Sequence, residues 1–148
     1  MKNNYTSLLL LSSQRRRFIF LLFILNFSIF GTNAQSTSWL APKDAESVKN
    51  PLIGNASMLA EARVMYAANC GPCHGDKGRG DGPAAPGLNP KPADHTSAAV
   101  QAESDGSLFW KLSEGRSPMP GYKKIFSEQQ RWELITYIRS LAKTAKKK

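Results

Sequence analysis

The run Cys70-Gly71-Pro72-Cys73-His74 puts two thiols and an imidazole into five consecutive residues. On a turn of helix, thiols three positions apart share a face, so each can form a thioether with a vinyl group of one haem. The next residue then presents its imidazole to the iron. Cys-x-x-Cys-His is the attachment pattern of haem c. The covalent bonds retain the cofactor and the adjacent histidine provides one axial ligand. Cys70, Cys73 and His74 are therefore the first candidate site residues, and one covalently attached haem c is the expected cofactor.

Two other chemistries use the same residue types. Cys-Gly-Pro-Cys also serves as a redox dithiol, but that arrangement follows a strand and opens a helix. Here the preceding segment, residues 59–69, reads as helix. The following one, Gly75-Asp76-Lys77-Gly78-Arg79-Gly80-Asp81-Gly82-Pro83, has too many glycines and a proline to form one. Zinc could draw on Cys70, Cys73, His74 and His95. Adjacent Cys73 and His74 are awkward joint ligands for a tetrahedral ion, and the chain has no second cysteine pair.

The other axial position decides what such a haem does. Beyond residue 34 the chain offers Met58, Met65, Met119 and His95. Met65 lies on the helix that carries Cys70, and Met58 just precedes it, so neither reaches the opposite haem face. Met119 sits in a loop between Pro118 and Pro120, which restrict its backbone. Met119 is the expected second ligand. His95, after Pro92-Ala93-Asp94, is the alternative ligand and otherwise a surface or propionate-side residue. With His74 and Met119 both bound, the iron has no open position for a substrate, and methionine sulfur favours the ferrous state. That constitution suits a one-electron carrier rather than an enzyme, and no catalytic residue is assigned.

The remainder of the chain must deliver and hold these side chains. Residues 1–17 are basic and polar and end in Arg15-Arg16-Arg17; residues 18–30 are apolar apart from Asn26 and Ser28; Thr32-Asn33-Ala34 leads into a polar stretch from Gln35. This is the layout of a secretory signal peptide spanning residues 1–34, with a cut after Ala34 and the periplasm as destination. The apolar run is shorter than the ~20 residues of a helical span; an uncleaved anchor is the alternative. Four of the nine net positive charges lie in this leader (Lys2, Arg15, Arg16 and Arg17), which leaves +5 on residues 35–148. A balance that modest argues against nucleic acid as a partner. The exported part has the length of one domain, and a haem at its centre would supply apolar mass that a short chain lacks.

The expected elements are all helical, with no strand and no repeat. Residues 35–56 form an extended lead-in containing Pro42, Pro51 and Gly54, with Trp39 and Leu40 as contacts to the domain surface. The domain itself covers residues 57–142. Its first helix runs from Ser57 to Cys70 with an apolar stripe of Leu59, Ala62, Tyr66 and Cys70. A long loop spans residues 75–95, and a short helical piece lies between Thr96 and Glu103. The next helix, from Ser104-Asp105 to Ser113, turns Leu108, Phe109 and Leu112 inward and ends at Gly115. After the rigid Ser117-Pro118-Met119-Pro120-Gly121-Tyr122 loop, Ser127 and Gln130 form a capping box for the last helix. Leu134, Tyr137, Ile138 and Leu141 are its buried stripe, with Trp132 and Ile135 on the flank. Residues 143–148, with four lysines, read as a basic C-terminal tail.

Between Ser57 and Leu141 the chain resembles the class I cytochromes c, in particular small bacterial monohaem members. The resemblance rests on the Cys-Gly-Pro-Cys-His motif at the end of a first helix, a methionine in a Pro-flanked loop before the last helix, and an aromatic residue in each terminal helix. Cys-His-Gly-Asp-Lys-Gly-Arg-Gly-Asp-Gly-Pro and the later Leu-Asn-Pro-Lys-Pro-Ala-Asp stretch add to it. It implies about four short helices around one haem, the first and last crossing with Tyr66 and Tyr137 nearby. It also implies a loop proline carbonyl as partner of His74, with Pro86, Pro90 and Pro92 available and Pro90 favoured. Arg116 and Lys123 could pair with haem propionates or be plain surface charge, and Trp110 could line the pocket or fill core. The implied function is a periplasmic one-electron carrier, monomeric, with redox proteins as partners. The alternatives are a fixed haem c subunit of a larger respiratory or periplasmic oxidoreductase complex, and a haem enzyme or gas sensor with a displaceable distal ligand. A membrane enters only through an uncleaved leader or a membrane complex.

Overall fold

The structure is a computed structural model describing residues 38–145; the leader read at residues 1–34, and Lys146, Lys147 and Lys148, lie outside the described residues. Six α-helices follow in order: α1 (Lys43–Glu46), α2 (Leu59–Asn69), α3 (Gly71–His74), α4 (Ala98–Ala102), α5 (Asp105–Glu114) and α6 (Glu128–Ala145). Short 3-10 turns occupy Ala56–Met58 and Ala85–Gly87. Among the described residues no strand forms; Arg116 and Met119 make an isolated bridge. The all-α class is as expected. The two helices beyond the expected four are the short α1 and the motif itself, which forms α3.

Local chemistry accounts for where the helices begin. At α6 the capping box closes in both directions: Gln130 N–H donates to Ser127 Oγ at 3.2 Å, and Ser127 N–H donates to Gln130 Oε1 at 3.0 Å. Ser104 Oγ caps α5 by accepting from Ser107 N–H at 3.1 Å, and Ser97 Oγ caps α4 by accepting from Val100 N–H at 3.3 Å. Near α2, expected to start at Ser57, the side chain that bonds to the entering backbone is Asn55. Its Oδ1 accepts from Ser57 N–H at 3.2 Å and from Ser57 Oγ–H at 2.6 Å, so the chain enters α2 through the 3-10 turn.

The core lies where α2 and α5 meet α6. Tyr66 and Tyr137 meet across the α2–α6 crossing with ring centroids 5.1 Å apart. Phe109 of α5 stacks on Trp132 of α6 at 3.9 Å. Tyr66, Leu134 and Ile135 are fully buried. The buried face of α6 is wider than a single stripe, since Arg131, Trp132, Glu133, Leu134 and Ile135 are all buried. Helices α2 and α5 both pack on α6, and its Ile135 and Ile138 line the cleft described below. Arg139 ties α6 to the α4–α5 corner by donating to Asp105 Oδ1 at 2.7 Å and to the carbonyls of Val100 at 3.3 Å and Gln101 at 3.1 Å. The Val100 carbonyl also accepts from the capping Glu103 N–H at 3.2 Å, and the arginine adds a side-chain donor at this helix end.

The lead-in is less extended than expected. It folds into α1, which packs on α5, and Asn50 is buried with its Nδ2–H donating to Thr136 Oγ1 at 3.1 Å. Trp39 makes the expected contact, whereas Leu40 is 72% exposed and makes none of consequence. Helix α6 continues through Ala145, into the first half of the 143–148 tail. Among the described residues, no helix is long and apolar enough to cross a membrane.

Candidate functional site

The C-terminal end of α2 feeds directly into the motif. Cys70 closes α2, its N–H donating to Tyr66 O at 2.8 Å, and its own carbonyl accepts from His74 N–H at 2.7 Å in α3. The residues thus wind in one continuous helical path, which brings Cys70, Cys73 and His74 to the same wall of a cleft. The glycine-rich segment behind them is laced to the motif through backbone bonds: Gly80 N–H to His74 O at 2.8 Å, Gly82 N–H to Cys73 O at 3.1 Å and Ala84 N–H to Pro72 O at 2.9 Å. Gly82 comes so close that a Cβ there would lie 2.4 Å from Pro72 O. The glycines therefore let the loop press against the motif and hold its backbone.

Met119 lines the same cleft. Its backbone is fixed by a two-way bridge, Arg116 N–H to Met119 O at 3.0 Å and Met119 N–H to Arg116 O at 2.8 Å. Tyr122, just beyond, anchors the loop twice. Its N–H donates to Leu112 O at 3.0 Å, and its hydroxyl donates to Asn69 O at 3.0 Å, the residue before Cys70. Burial, with the two cysteine thiols nearby, pushes that hydroxyl up to about 12, so it stays a donor. Tyr122 thereby connects the methionine loop to the motif, a role that its position two residues after Pro120 did not reveal.

The cleft is apolar, with a volume of about 230 Å³, and α5, Ile135 and Ile138 of α6, and Trp39 from the lead-in complete its lining. Of the described methionines only Met119 lines it; Met65 packs against the core. Trp110 stands behind, edge-on to Trp39 with ring centroids 6.5 Å apart. Lys91, Lys111 and Arg116 bring positive charge to the cleft, and the Arg116 guanidinium lies 4.9 Å from the Trp39 ring centroid. Lys123, by contrast, is paired with Glu114 at 3.3 Å and points away to solvent.

His74 is buried, and its Nδ1–H donates to Ala93 O at 2.9 Å. This corrects the expected proline: the accepting carbonyl belongs to Ala93, not to Pro86, Pro90 or Pro92. Pro90 and Pro92 line the cleft nearby, but the path of the loop turns the next carbonyl, that of Ala93, toward the ring. Burial lowers the His74 pKa, with the Ala93 bond acting in the other direction. The imidazole is therefore neutral at ordinary pH with Nε2 bare, the form that a metal needs.

His95 is not a surface residue. It lines the same cleft, its ring stacked on His74 with centroids 4.1 Å apart and planes 20° from parallel. Its Nδ1 is hydrogen-bonded to the Tyr66 hydroxyl at 2.9 Å, and burial pushes its pKa down to about 3. Stacked rings lie on the same side of the cleft, so His95 cannot serve opposite His74 as a second axial ligand. The parallel planes also fail to converge on a point. Among the described residues no group of three or more His, Cys, Asp or Glu side chains is arranged for a metal ion, which goes against the zinc reading.

Cys70 and Cys73 are not joined to each other by a disulfide. Burial, with Cys73 beside it, raises the Cys70 thiol to about 12. A redox dithiol needs the reverse, a thiol shifted down toward thiolate. The motif also follows a helix and opens onto a loop, the opposite of the dithiol arrangement. Two thiols, a neutral imidazole and a thioether around one apolar cleft fit haem c as a donor set.

The cytochrome c family model matches residues 59–142. The chain belongs to the cytochrome c family. Membership gives this cytochrome a haem c electron-transfer role. Among solved structures, a chain of the Kuenenia stuttgartiensis reducing HAO-like protein complex is 30% identical, with a TM-score of 0.56 over 64% of the cytochrome and 49% of that chain. The cytochrome thus spans about half the length of that relative. Comparison with curated proteins returns no match.

Proposed function

We propose that this cytochrome is an exported one-electron carrier with a single haem c, bonded through Cys70 and Cys73 and held axially by His74 and Met119. The observation that carries this reading is the cleft itself: it is lined by both thiols, by the neutral His74 imidazole and, of the described methionines, by Met119 alone. When bound, haem c supplies a one-electron ferric–ferrous couple. The chain's own residues do the rest. Ala93 fixes the tautomer of His74. The Arg116–Met119 bridge and Tyr122 hold the methionine loop, keeping the thioether in place. Leu108, Leu112, Ile135 and Ile138 exclude water, and a thioether ligand favours the reduced state. Export to the periplasm rests on the signal-peptide layout of residues 1–34.

The test is the spectrum and composition of the purified holoprotein. The oxidised form should show a weak sulfur-to-iron band in the far red. The haem should stay with the polypeptide through acid–acetone extraction, and the mass should equal one chain plus one haem. Extractable haem, or a chain with two free thiols, would overturn the proposal. A second reading, a fixed subunit of an oxidoreductase complex, is favoured by the similarity to a chain of a named protein complex. A partner that co-elutes with the native cytochrome would support it.

A further inference from the structure

We propose that His95 and Tyr66 form a positioning pair that sets the plane of the His74 imidazole. The inference rests on the reading of His74 as an axial ligand and adds a role for two side chains that do not touch the iron. The Ala93 carbonyl, at 2.9 Å from His74 Nδ1, fixes the tautomer of the ring and the direction of one edge. A single hydrogen bond still lets an imidazole rock about the donor–acceptor line. The His95 ring, stacked at 4.1 Å and 20° from parallel, blocks that motion on one face.

His95 is itself held from several directions. Its side chain is bonded to the Tyr66 hydroxyl at 2.9 Å. Its N–H donates to Gly78 O at 2.6 Å, and its carbonyl accepts from Gln101 Nε2–H at 2.6 Å. Tyr66 is 1% exposed and locked in the α2–α6 crossing against Tyr137. The chain of contacts runs from the core through Tyr66 and His95 to His74. An aliphatic side chain could fill the same space, but it would have no polar atom for Tyr66 to orient. Burying an imidazole carries a desolvation cost that the hydroxyl bond offsets. The bond also fixes the ring's rotation, which packing alone leaves less defined. Gly78 makes room for the pair: with φ +71 it adopts a left-handed conformation, and a Cβ there would meet the Tyr66 hydroxyl and His95 Cβ at 3.2 Å each and Leu141 Cδ1 at 2.7 Å.

In an oxidised low-spin haem, the orientations of both axial ligands would set the in-plane magnetic anisotropy, so with Met119 left untouched a change would follow the plane of the imidazole. The g values in frozen solution and the order of the four haem-methyl shifts in the proton spectrum therefore report on that plane. The experiment compares wild-type holoprotein with His95→Ala, His95→Phe and Tyr66→Phe. His95→Ala should shift the largest g value by several linewidths and change the spread of the methyl shifts. His95→Phe, which keeps a stacked ring, should stay closer to wild type. Tyr66→Phe, which removes only the hydroxyl, should give a smaller shift in the direction of the alanine variant. Wild-type g values and methyl order in His95→Ala would overturn the proposal, and so would a phenylalanine variant no closer to wild type than the alanine one. If His95→Ala fails to accumulate with haem, the isosteric Tyr66→Phe decides, and an unchanged spectrum there overturns the pair. A wild-type protein without a low-spin, imidazole-ligated signal overturns the ligand reading of His74 itself, before any variant is compared.

Discussion

At the scale of single residues, the motif was legible because its chemistry is written in consecutive positions. Cys70, Cys73 and His74 needed no tertiary information to be placed on one helical path. Met119 was singled out for another reason: Met65 lies on the helix that carries Cys70 and Met58 just precedes it, and of the described methionines Met119 is the one that lines the cleft. Its proposed role as a ligand makes a sharp prediction. Met119→Ala should abolish the far-red band, open the iron to carbon monoxide and lower the midpoint potential on the order of 0.1 V, within the ~0.8 V that axial ligands span. Met65→Ala should keep the band and bind no carbon monoxide. Spectra, ligand titration and potentiometry of the two variants check this; a band that survives Met119→Ala but not Met65→Ala would refute the assignment. His95 and Ala93 were not legible. Their importance depends on the loop after Cys73 folding back so that its far end meets His74, and nothing in the local sequence states that register. The family's habit of using a proline carbonyl pointed to Pro90, whereas the loop's own path offers the carbonyl of Ala93.

At the scale of elements, the helix ends that the sequence announced are those with side-chain caps. The Ser127–Gln130 box was readable because both partners lie within one turn, and both of its bonds form. Ser127→Ala should therefore destabilise the protein by about 1 kcal/mol, measured by denaturant unfolding of the holoprotein, with the haem spectrum unchanged. A larger loss accompanied by an altered spectrum would mean that the start of α6 also shapes the cleft. Helix α1 was not readable. Four residues after Pro42 carry no periodicity, and the helix exists because it packs on α5. The width of the buried face of α6 escaped for a similar reason: Arg131 and Glu133 look like solvent-facing residues, yet both are buried, Arg131 against Phe109 and Ser113 of α5. The glycine-rich loop shows the reverse case, in which the sequence declared a loop but not its purpose. Gly82→Ala would force a Cβ to within 2.4 Å of Pro72 O and 2.6 Å of Gly71 O. Overpacking of that kind costs roughly 1–3 kcal/mol. It should appear as a lower yield of haem-loaded protein, quantified as the haem-to-protein absorbance ratio, because the backbone that would move is the one presenting the thiols.

At the scale of the whole molecule, the charge balance becomes a statement about encounter. The formal charge is +9 for the full chain and +5 for residues 35–148, and Lys91, Lys111 and Arg116 concentrate part of it at the cleft. Lys111 is paired with Glu103, so the field there is moderate rather than strong. A moderate positive rim steers an acidic partner without holding it. The effect is on the association rate, and it is screened over about 8 Å at physiological salt. The second-order rate of electron transfer to an acidic redox protein should therefore fall as ionic strength rises, and an electroneutral partner of similar potential should show a flat dependence. Ending the chain at Ala145 leaves α6 whole and removes three lysines. If the docking field comes from the cleft, that truncation should lower the rate only slightly and leave the salt slope nearly unchanged. Stopped-flow oxidation over a salt series, on both chain lengths, separates the cases. A rate independent of salt would place the contact on apolar surface around the cleft, whereas a slope that collapses on truncation would assign the steering to the terminal lysines.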